Sequence, residues 1–366
     1  MRIALVSPYA LSAYGGVQEQ TLAMSRELER RGHHVLVVAP NAKDTTTYDT
    51  PARVEVFGPL ISVPANGSKA PLTFSPWAAR HARAAIQKFR ADLVHFHEPF
   101  APLLGYSALR AHDVPCVATF HRSGDGPALR LTGPLLRFLA NSIDVSAAVS
   151  DAAAATINRA CGLNPEVLFN GFEMSRFEST PRSRSDEVVL VTLGRLEERK
   201  GVAHAVTAVR SHNAKGEEPW RLVVLGEGPE RVALETLAAG DAKITFAGAP
   251  SDDQKRAWLR RANALVAPAV RGESFGLILL EGMASETSVV ASDIAGYREA
   301  AGGVATLFDA GSDEKLEAAI TTTLAKETPL TIAAAKSHAE HWSMTRLIDA
   351  YESLYASARE RFSSSR

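Results

Sequence analysis

Short apolar runs recur along the chain, each followed by a loop and then by a stretch with helically spaced apolar positions. Apolar runs bounded by turn residues read as buried strands, and the longer periodic stretches as helices with one buried face. On that pattern residues 2–6, 34–39, 54–57, 93–97, 116–119 and 144–149 are strands. Val17, Thr21, Met24 and Leu28 carry the first helix up to a stop at Gly32. The polar stretch from Glu178 through Pro181 to Asp186 has no apolar period and reads as a linker. The pattern then restarts, with strands at 188–192, 221–225, 244–246, 264–267 and 289–291. From Thr328 onward it is helical, with an interruption at Trp342. Strands alternating with helices predict parallel sheets covered on both faces, so this is an α/β chain of two Rossmann-like domains. Their predicted limits are 1–172 and 187–341, joined by a linker at 173–186 and followed by a C-terminal helix at 342–366. Two such domains imply a cleft, a common position for a ligand.

Composition narrows this picture a little. A chain of 366 residues suits two domains of ordinary size, and 46% hydrophobic with 22% charged residues is a soluble, globular balance. The net charge of -1 gives no global case for binding nucleic acid. Cys116 and Cys161 lie in apolar surroundings without metal spacing, as buried thiols of a reducing compartment do. Residues 1–6 read as a strand rather than a signal peptide. No apolar run approaches the length of a membrane span. The expectation is a cytoplasmic protein whose membrane contact, if it has one, is peripheral.

The candidate chemistry gathers in loops that follow strands. After the run at 264–267 comes Gly272-Glu273-Ser274-Phe275-Gly276-Leu277, then Glu281. A helix beginning at Gly276 puts Glu273 in its entry loop and Glu281 about two turns further on. Its first amides and the positive end of its dipole suit an anion. Gly194-Arg195 and Lys200-Gly201 follow the first strand of the second domain, where both cations are able to grip phosphate oxygens. Gly15-Gly16-Val17 opens the first helix and allows close approach of a phosphate. It is not a dinucleotide fingerprint: the third glycine is missing, and Asp44 is the one acidic candidate after the second strand. Gly226-Glu227-Gly228-Pro229 is explained by turn chemistry alone. His121 ends a first-domain strand and points toward the cleft, His95 reads as core, and His97-Glu98-Pro99 closes another strand. Between residues 51 and 91 the charges are almost all basic. A helix at 78–90 follows Phe74 and Trp77, and an aromatic-edged basic helix is able to lie on an anionic membrane.

Together, the Glu273–Glu281 pair, the Gly194-Arg195 and Lys200-Gly201 turn and the Gly15-Gly16 loop resemble the GT-B retaining glycosyltransferases of family 4, over nearly the whole chain. Pro8-Tyr9, Gly15-Gly16-Val17-Gln18, Asn66-Gly67-Ser68, His97-Glu98-Pro99 and Ala118-Thr119-Phe120-His121 are similar, more narrowly, to members that pass mannose from GDP-mannose to phosphatidylinositol on the inner leaflet. The resemblance implies a GT-B fold with a deep cleft and a C-terminal helix returning to the first domain. It implies a nucleotide-sugar as substrate, with no cofactor. By resemblance, Arg195 and Lys200 hold the diphosphate, Glu273 the donor sugar, and Glu281 the ribose. Ser274, Phe275, Gly276 and Leu277 form the turn at phosphate and sugar, and Gly16 admits the donor phosphate. His121 stands beside the reacting sugar. Tyr9, Gln18, Asn66, Lys69, Thr119 and Arg122 face the acceptor, and Trp77, Arg80, Arg83 and Lys88 the membrane. Where such members carry arginines after Asn66-Gly67-Ser68, this chain has Pro71 and Thr73, and after His121 it has Arg122-Ser123-Gly124-Asp125-Gly126.

The expected reaction is hexose transfer with retention. No carboxylate is clearly placed as a nucleophile, which favours a front-face route in which the leaving diphosphate deprotonates the acceptor. No Asp-X-Asp motif occurs, so the two cations and helix dipoles are expected to replace a metal. The alternatives are a soluble acceptor such as inositol phosphate or another sugar, a UDP-sugar donor, a nucleotide-sugar epimerase on the same fold, and a non-catalytic binding module.

Overall fold

The computed structural model describes residues 1–11, 16–40, 48–65, 68–73, 75–101, 113–122, 132–178, 186–273 and 275–364, with backbone alone at 62–65, 68–72 and 76. Met1–Gly171 with Met344–Arg366 forms one compact unit, and Phe172–Ser343 forms a second.

In the first unit, strands β1 (Arg2–Val6), β2 (His34–Pro40), β3 (Arg53–Phe57), β6 (Leu93–His97), β7 (Cys116–Phe120), β8 (Val145–Ala148) and β9 (Glu166–Val167) make one sheet, ordered β3-β2-β1-β6-β7-β8-β9. All of its pairings are parallel. Strands β4 (Ile61–Ala65) and β5 (Ser68–Leu72) form a separate antiparallel hairpin. Among the described residues its N-terminal part also holds helices α1 (Gly16–Arg30), α2 (Pro76–Phe89), α3 (Gly133–Ala140) and α4 (Asp151–Cys161). Successive strand residues feed opposite faces, so Ala4 and Val6 join a core with Ala82, Ile86, Leu136 and Ile157. Ile3 and Leu5 instead join Met24, Leu28, Leu347 and Tyr351.

The second unit holds β10 (Val188–Leu193), β11 (Trp220–Leu225), β12 (Ile244–Gly248), β13 (Ala264–Ala267), β14 (Ser288–Ser292) and β15 (Thr306–Phe308), in the parallel order β12-β11-β10-β13-β14-β15. Its helices are α5 (Met174–Glu178), α6 (Val202–Ala214), α7 (Arg231–Ala238), α8 (Asp252–Arg261), α9 (Leu277–Ala284), α10 (Ala295–Ala301), α11 (Asp313–Lys326) and α12 (Pro329–Glu340). In both sheets the strand order reverses beside the first strand, between β1 and β6 and between β10 and β13. Loops at the carboxyl ends of such a pair are where doubly wound sheets bind ligands.

The last helix, α13 (Met344–Ser364), belongs to the first unit. It buries Met344, Leu347, Ile348, Tyr351, Leu354, Tyr355 and Ala358, one helical stripe laid on the sheet. Each fully buried Leu or Ile there stabilises by about 1.5–3 kcal/mol. Arg31 fastens the helix to α1 through Asp349 and Glu352, at 2.7 Å each.

Several elements depart from the sequence expectation. The segment 173–178, expected in the linker, contains α5, and Phe172 and Phe177 are buried in the second unit's core. Residues 179–185 lie outside the described residues. Trp342 and Ser343 belong to the second unit, and α13 starts at Met344. The basic helix runs Pro76–Phe89, its start fixed by the Ser75 hydroxyl, which accepts from the Ala78 amide. The hairpin β4–β5 and the short strands β9 and β15 were not foreseen. Cys116 and Cys161 are free and buried.

Candidate active site

The second unit's reversal point is built from two loops. After β10 the chain runs through Gly194 and Arg195 into a short 3-10 turn, Glu198–Lys200. Gly201 then starts α6 at φ 64°, and a Cβ there would run into the Pro268 carbonyl. Only glycine closes this turn against the loop that follows β13. The Arg199 carbonyl accepts from the Val270 amide at 2.9 Å, completing the contact. The consequence is a chain of alternating charge. Arg195 Nε lies 3.1 Å from Glu197, and Glu197 is 2.8 Å from Arg199 Nε. Arg199 Nη1 lies 3.1 Å from Glu273 Oε1, and Lys200 Nζ lies 2.5 Å from the same oxygen. Three cations against two carboxylates leave the chain one positive charge in excess. Arg195 is its most exposed cation, at 61%. Exposed pairs add little stability, so the chain matters chiefly for aiming its cations.

Gly276 caps α9 at φ 86°, and a Cβ there would meet the Tyr297 ring at 2.5 Å. Burial, and then nearby Glu273, push the Tyr297 phenol well above its ordinary value. The first amides of α9 thus open next to Glu273. One turn deeper, Glu281 accepts from Lys255 Nζ at 2.9 Å.

The first unit's reversal point differs in kind. Glu98 leaves β6 with a positive φ of 47°. That turn lets its carboxylate accept from the backbone amides of His121 and Arg122, the latter at 2.6 Å. Burial raises the Glu98 carboxyl. The Tyr9 hydroxyl is pushed up to about 12, by burial first and by Glu98 second. His121 Nε2 lies 3.0 Å from His97 Nδ1. Burial lowers His121 to about 4, and holds His97 well below the ordinary value. Behind them His95 contacts Thr119 at 2.7 Å and Tyr355 at 2.9 Å, and Thr119 contacts Tyr351 at 2.9 Å.

The sequence model of Glycosyltransferase Family 4 matches residues 14–176, and that of Glycosyl transferases group 1 matches residues 175–342. A phosphatidyl-myo-inositol mannosyltransferase of Mycobacterium leprae is 35% identical, over 87% of this chain and 86% of its own. This chain is a family 4 glycosyltransferase. A phosphatidyl-myo-inositol mannosyltransferase of Propionibacterium freudenreichii is 29% identical, over 100% of this chain and 97% of its own. The fold alone extends further: a glycosyltransferase of Rickettsia africae has TM-score 0.75 at 16% identity, covering 98% of both chains. Anabaena Alr3699/HepE in complex with UDP has TM-score 0.70 at 17% identity, covering 97% of this chain and 100% of its own. The two parallel-sheet α/β units are those of a GT-B glycosyltransferase.

Within this glycosyltransferase the expected donor residues Lys200 and Glu273 are in direct contact, and Arg195 is linked to them through Glu197 and Arg199. Phe275 is buried, Gly276 and Leu277 begin α9, and Glu281 follows on it. Ser274 lies outside the described residues. Two cations were missed: Arg199, which joins this cluster, and Lys255, which pairs with Glu281. Arg199 was legible in principle as the neighbour of Lys200, whereas Lys255 depends on α8 packing beside α9. Gly16 is the first residue of α1 and a Cβ there would meet nothing within 4 Å. Its neighbour Gly15 and also Asp44 and Asn66 lie outside the described residues, as does the Lys69 side chain.

The acceptor assignments need two corrections. Thr119 is 1% exposed and its hydroxyl is committed to His95 and Tyr351, so it is a core residue. Gln18 is also buried, and its amide donates to the Ala10 carbonyl at 3.4 Å. Tyr9 is partly exposed and Arg122 exposed. On α2, Trp77 is 67% exposed with Arg80 5.4 Å over its ring, and Arg83 and Lys88 are exposed on the outer face. Among the described residues no helix is long and apolar enough to cross a membrane.

Proposed function

We propose that this glycosyltransferase moves mannose from GDP-mannose to a phosphatidylinositol-type lipid, with retention at the anomeric carbon. The observation that carries the reading is the Arg195–Glu197–Arg199–Glu273–Lys200 chain beside the start of α9. Cations and helix amides at a sheet's reversal point suit the charge that develops on a departing diphosphate. The names of the mannosyltransferase relatives support the sugar and the lipid. In the reaction, the bond from the anomeric carbon to the phosphate oxygen breaks while the acceptor hydroxyl attacks the same face. The acceptor proton passes to the departing phosphate oxygen, which leaves GDP and the mannosylated lipid. Arg195 and Lys200 stabilise the diphosphate, Glu273 contacts the sugar and Glu281 the ribose, and neutral His121 stands beside the reacting sugar. Tyr9, Asn66, Lys69 and Arg122 recognise the inositol headgroup.

The cations take the place of a metal, so excess EDTA should leave the rate unchanged. The enzyme works as a peripheral protein at the cytoplasmic face of the membrane, with Trp77, Arg80, Arg83 and Lys88 toward anionic lipid. Each basic residue near such a surface contributes about 1 kcal/mol.

A transfer assay with labelled GDP-mannose and phosphatidylinositol vesicles tests this, run beside UDP-glucose and soluble inositol phosphate. Label in lipid from GDP-mannose alone is the expected result. Label in a soluble product, or only from the uridine donor, would replace the acceptor or donor while keeping the transferase.

A further inference from the structure

His97 and His121 sit at the ends of neighbouring strands, where β6 and β7 pair with His97 opposite Thr119. His97 is buried, its Nδ1 faces His121 Nε2 at 3.0 Å, and its other nitrogen, Nε2, is buried with no partner. Among the described residues His121 Nδ1 has no partner. One of the two facing nitrogens must carry the hydrogen. If His97 bears it on Nδ1, the orphan Nε2 is a bare lone pair. If His97 bears it on Nε2, a buried N–H is left unpaired, which folded proteins tolerate far less. Turning the ring over would set a carbon against His121 and forfeit the bond. The ring is also held from behind: His95 stacks on it at 4.7 Å and 22°, and His95 is itself pinned by Thr119 and Tyr355.

We propose that His97 is a positioning residue that donates Nδ1–H to His121 Nε2, fixing the tautomer in which His121 offers Nδ1–H to the sugar being transferred. The role of His121 rests on the function proposed above; the tautomer does not. Burial keeps both rings neutral, which the arrangement requires. The Tyr351 and Tyr355 hydroxyls of α13, through Thr119 and His95, form the backing of this pair. The C-terminal helix thereby acts on the orientation of His121 without touching it.

The test is long-range nitrogen–proton NMR on the full-length protein with labelled histidine, assigned with a His121→Gln variant. His121 should carry its hydrogen on Nδ1, with Nε2 bare. His97→Leu should lose the single tautomer and lower kcat by on the order of 10- to 100-fold, with KM for the donor nearly unchanged. His97→Asn, whose amide N–H occupies the place of Nδ1–H, should restore both tautomer and most of kcat. A hydrogen on His121 Nε2 in the unaltered protein would overturn the assignment, even if His97→Leu failed to fold. Equal kcat in the Leu and Asn variants would overturn the positioning role. The tautomer is read without substrate, so a failed transfer assay would sink the proposed function and leave this assignment standing.

Discussion

The two sheet edges of this glycosyltransferase share a topology and solve opposite problems. At the carboxyl end of β10 and β13, groups that carry full charge in water stay partly exposed and alternate in sign. At the carboxyl end of β6 and β7, imidazoles and phenols are largely removed from water and kept neutral. The first arrangement suits a charge that appears during the reaction, because preorganised cations need little reorganisation to meet it. The second suits a group that must orient a neutral sugar without attracting phosphate. The same doubly wound fold supplies both, because the difference lies in the loops and in what covers the strand ends.

Substituting Lys200 should give the largest effect. Lys200→Ala removes a cation and leaves Glu273 to Arg199 alone, and the barrier to transfer should rise by about 2–4 kcal/mol. Initial rates at saturating donor measure it, with circular dichroism to confirm the fold. A loss under about threefold in both Lys200→Ala and Arg195→Ala would end the view of this edge as the charge-stabilising one.

Thr119→Val separates the edges differently. The hydroxyl joins His95 to Tyr351, so its removal strands buried polar groups, at a cost of about 1–3 kcal/mol in stability. KM for the proposed lipid acceptor should hardly change, because the residue is covered by α13. A strong rise in that KM at unchanged stability would return Thr119 to the acceptor site.

Thr119 also marks the limit of what the chain discloses by itself. The central strands were legible because parallel strands buried on both faces read as near-continuous apolar runs, as at β10 and β13. Strand β9 offers two exposed residues, and Pro64 and Pro71 interrupt the run in β4 and β5. Neither leaves a periodic signal. The Arg195, Lys200 and Glu273 cluster was legible because each residue lies in a loop directly after a strand. Arg199 shares the loop but reads as one more surface charge until Glu273 is seen within reach. Thr119 lies at a strand end too, yet its partner Tyr351 comes from a helix 232 residues later, and spacing says nothing about which helix covers a strand.

The last test of the contrast is the acid response. In the unfolded chain an imidazole takes up a proton near its ordinary value of about 6.5. In the folded first unit burial lowers His95 to about 3 and His121 to about 4, and His97 lies well below its ordinary value. Below pH 6.5 the unfolded state therefore binds more protons than the folded one. The stability is complete above that pH and is lost progressively as the pH falls toward 4. Each fully buried imidazole contributes a slope of up to about 1.4 kcal/mol per pH unit. The charged chain of the second unit contains no imidazole, so acid should open the first unit first. Urea titrations at pH 7 and pH 5, read by hydrogen exchange in peptides from each unit, check this. If the midpoint for Leu93–His97 and Cys116–Phe120 moves no further than that for Val188–Leu193, the three histidines are not held neutral, and the contrast between a neutral edge and a charged one fails.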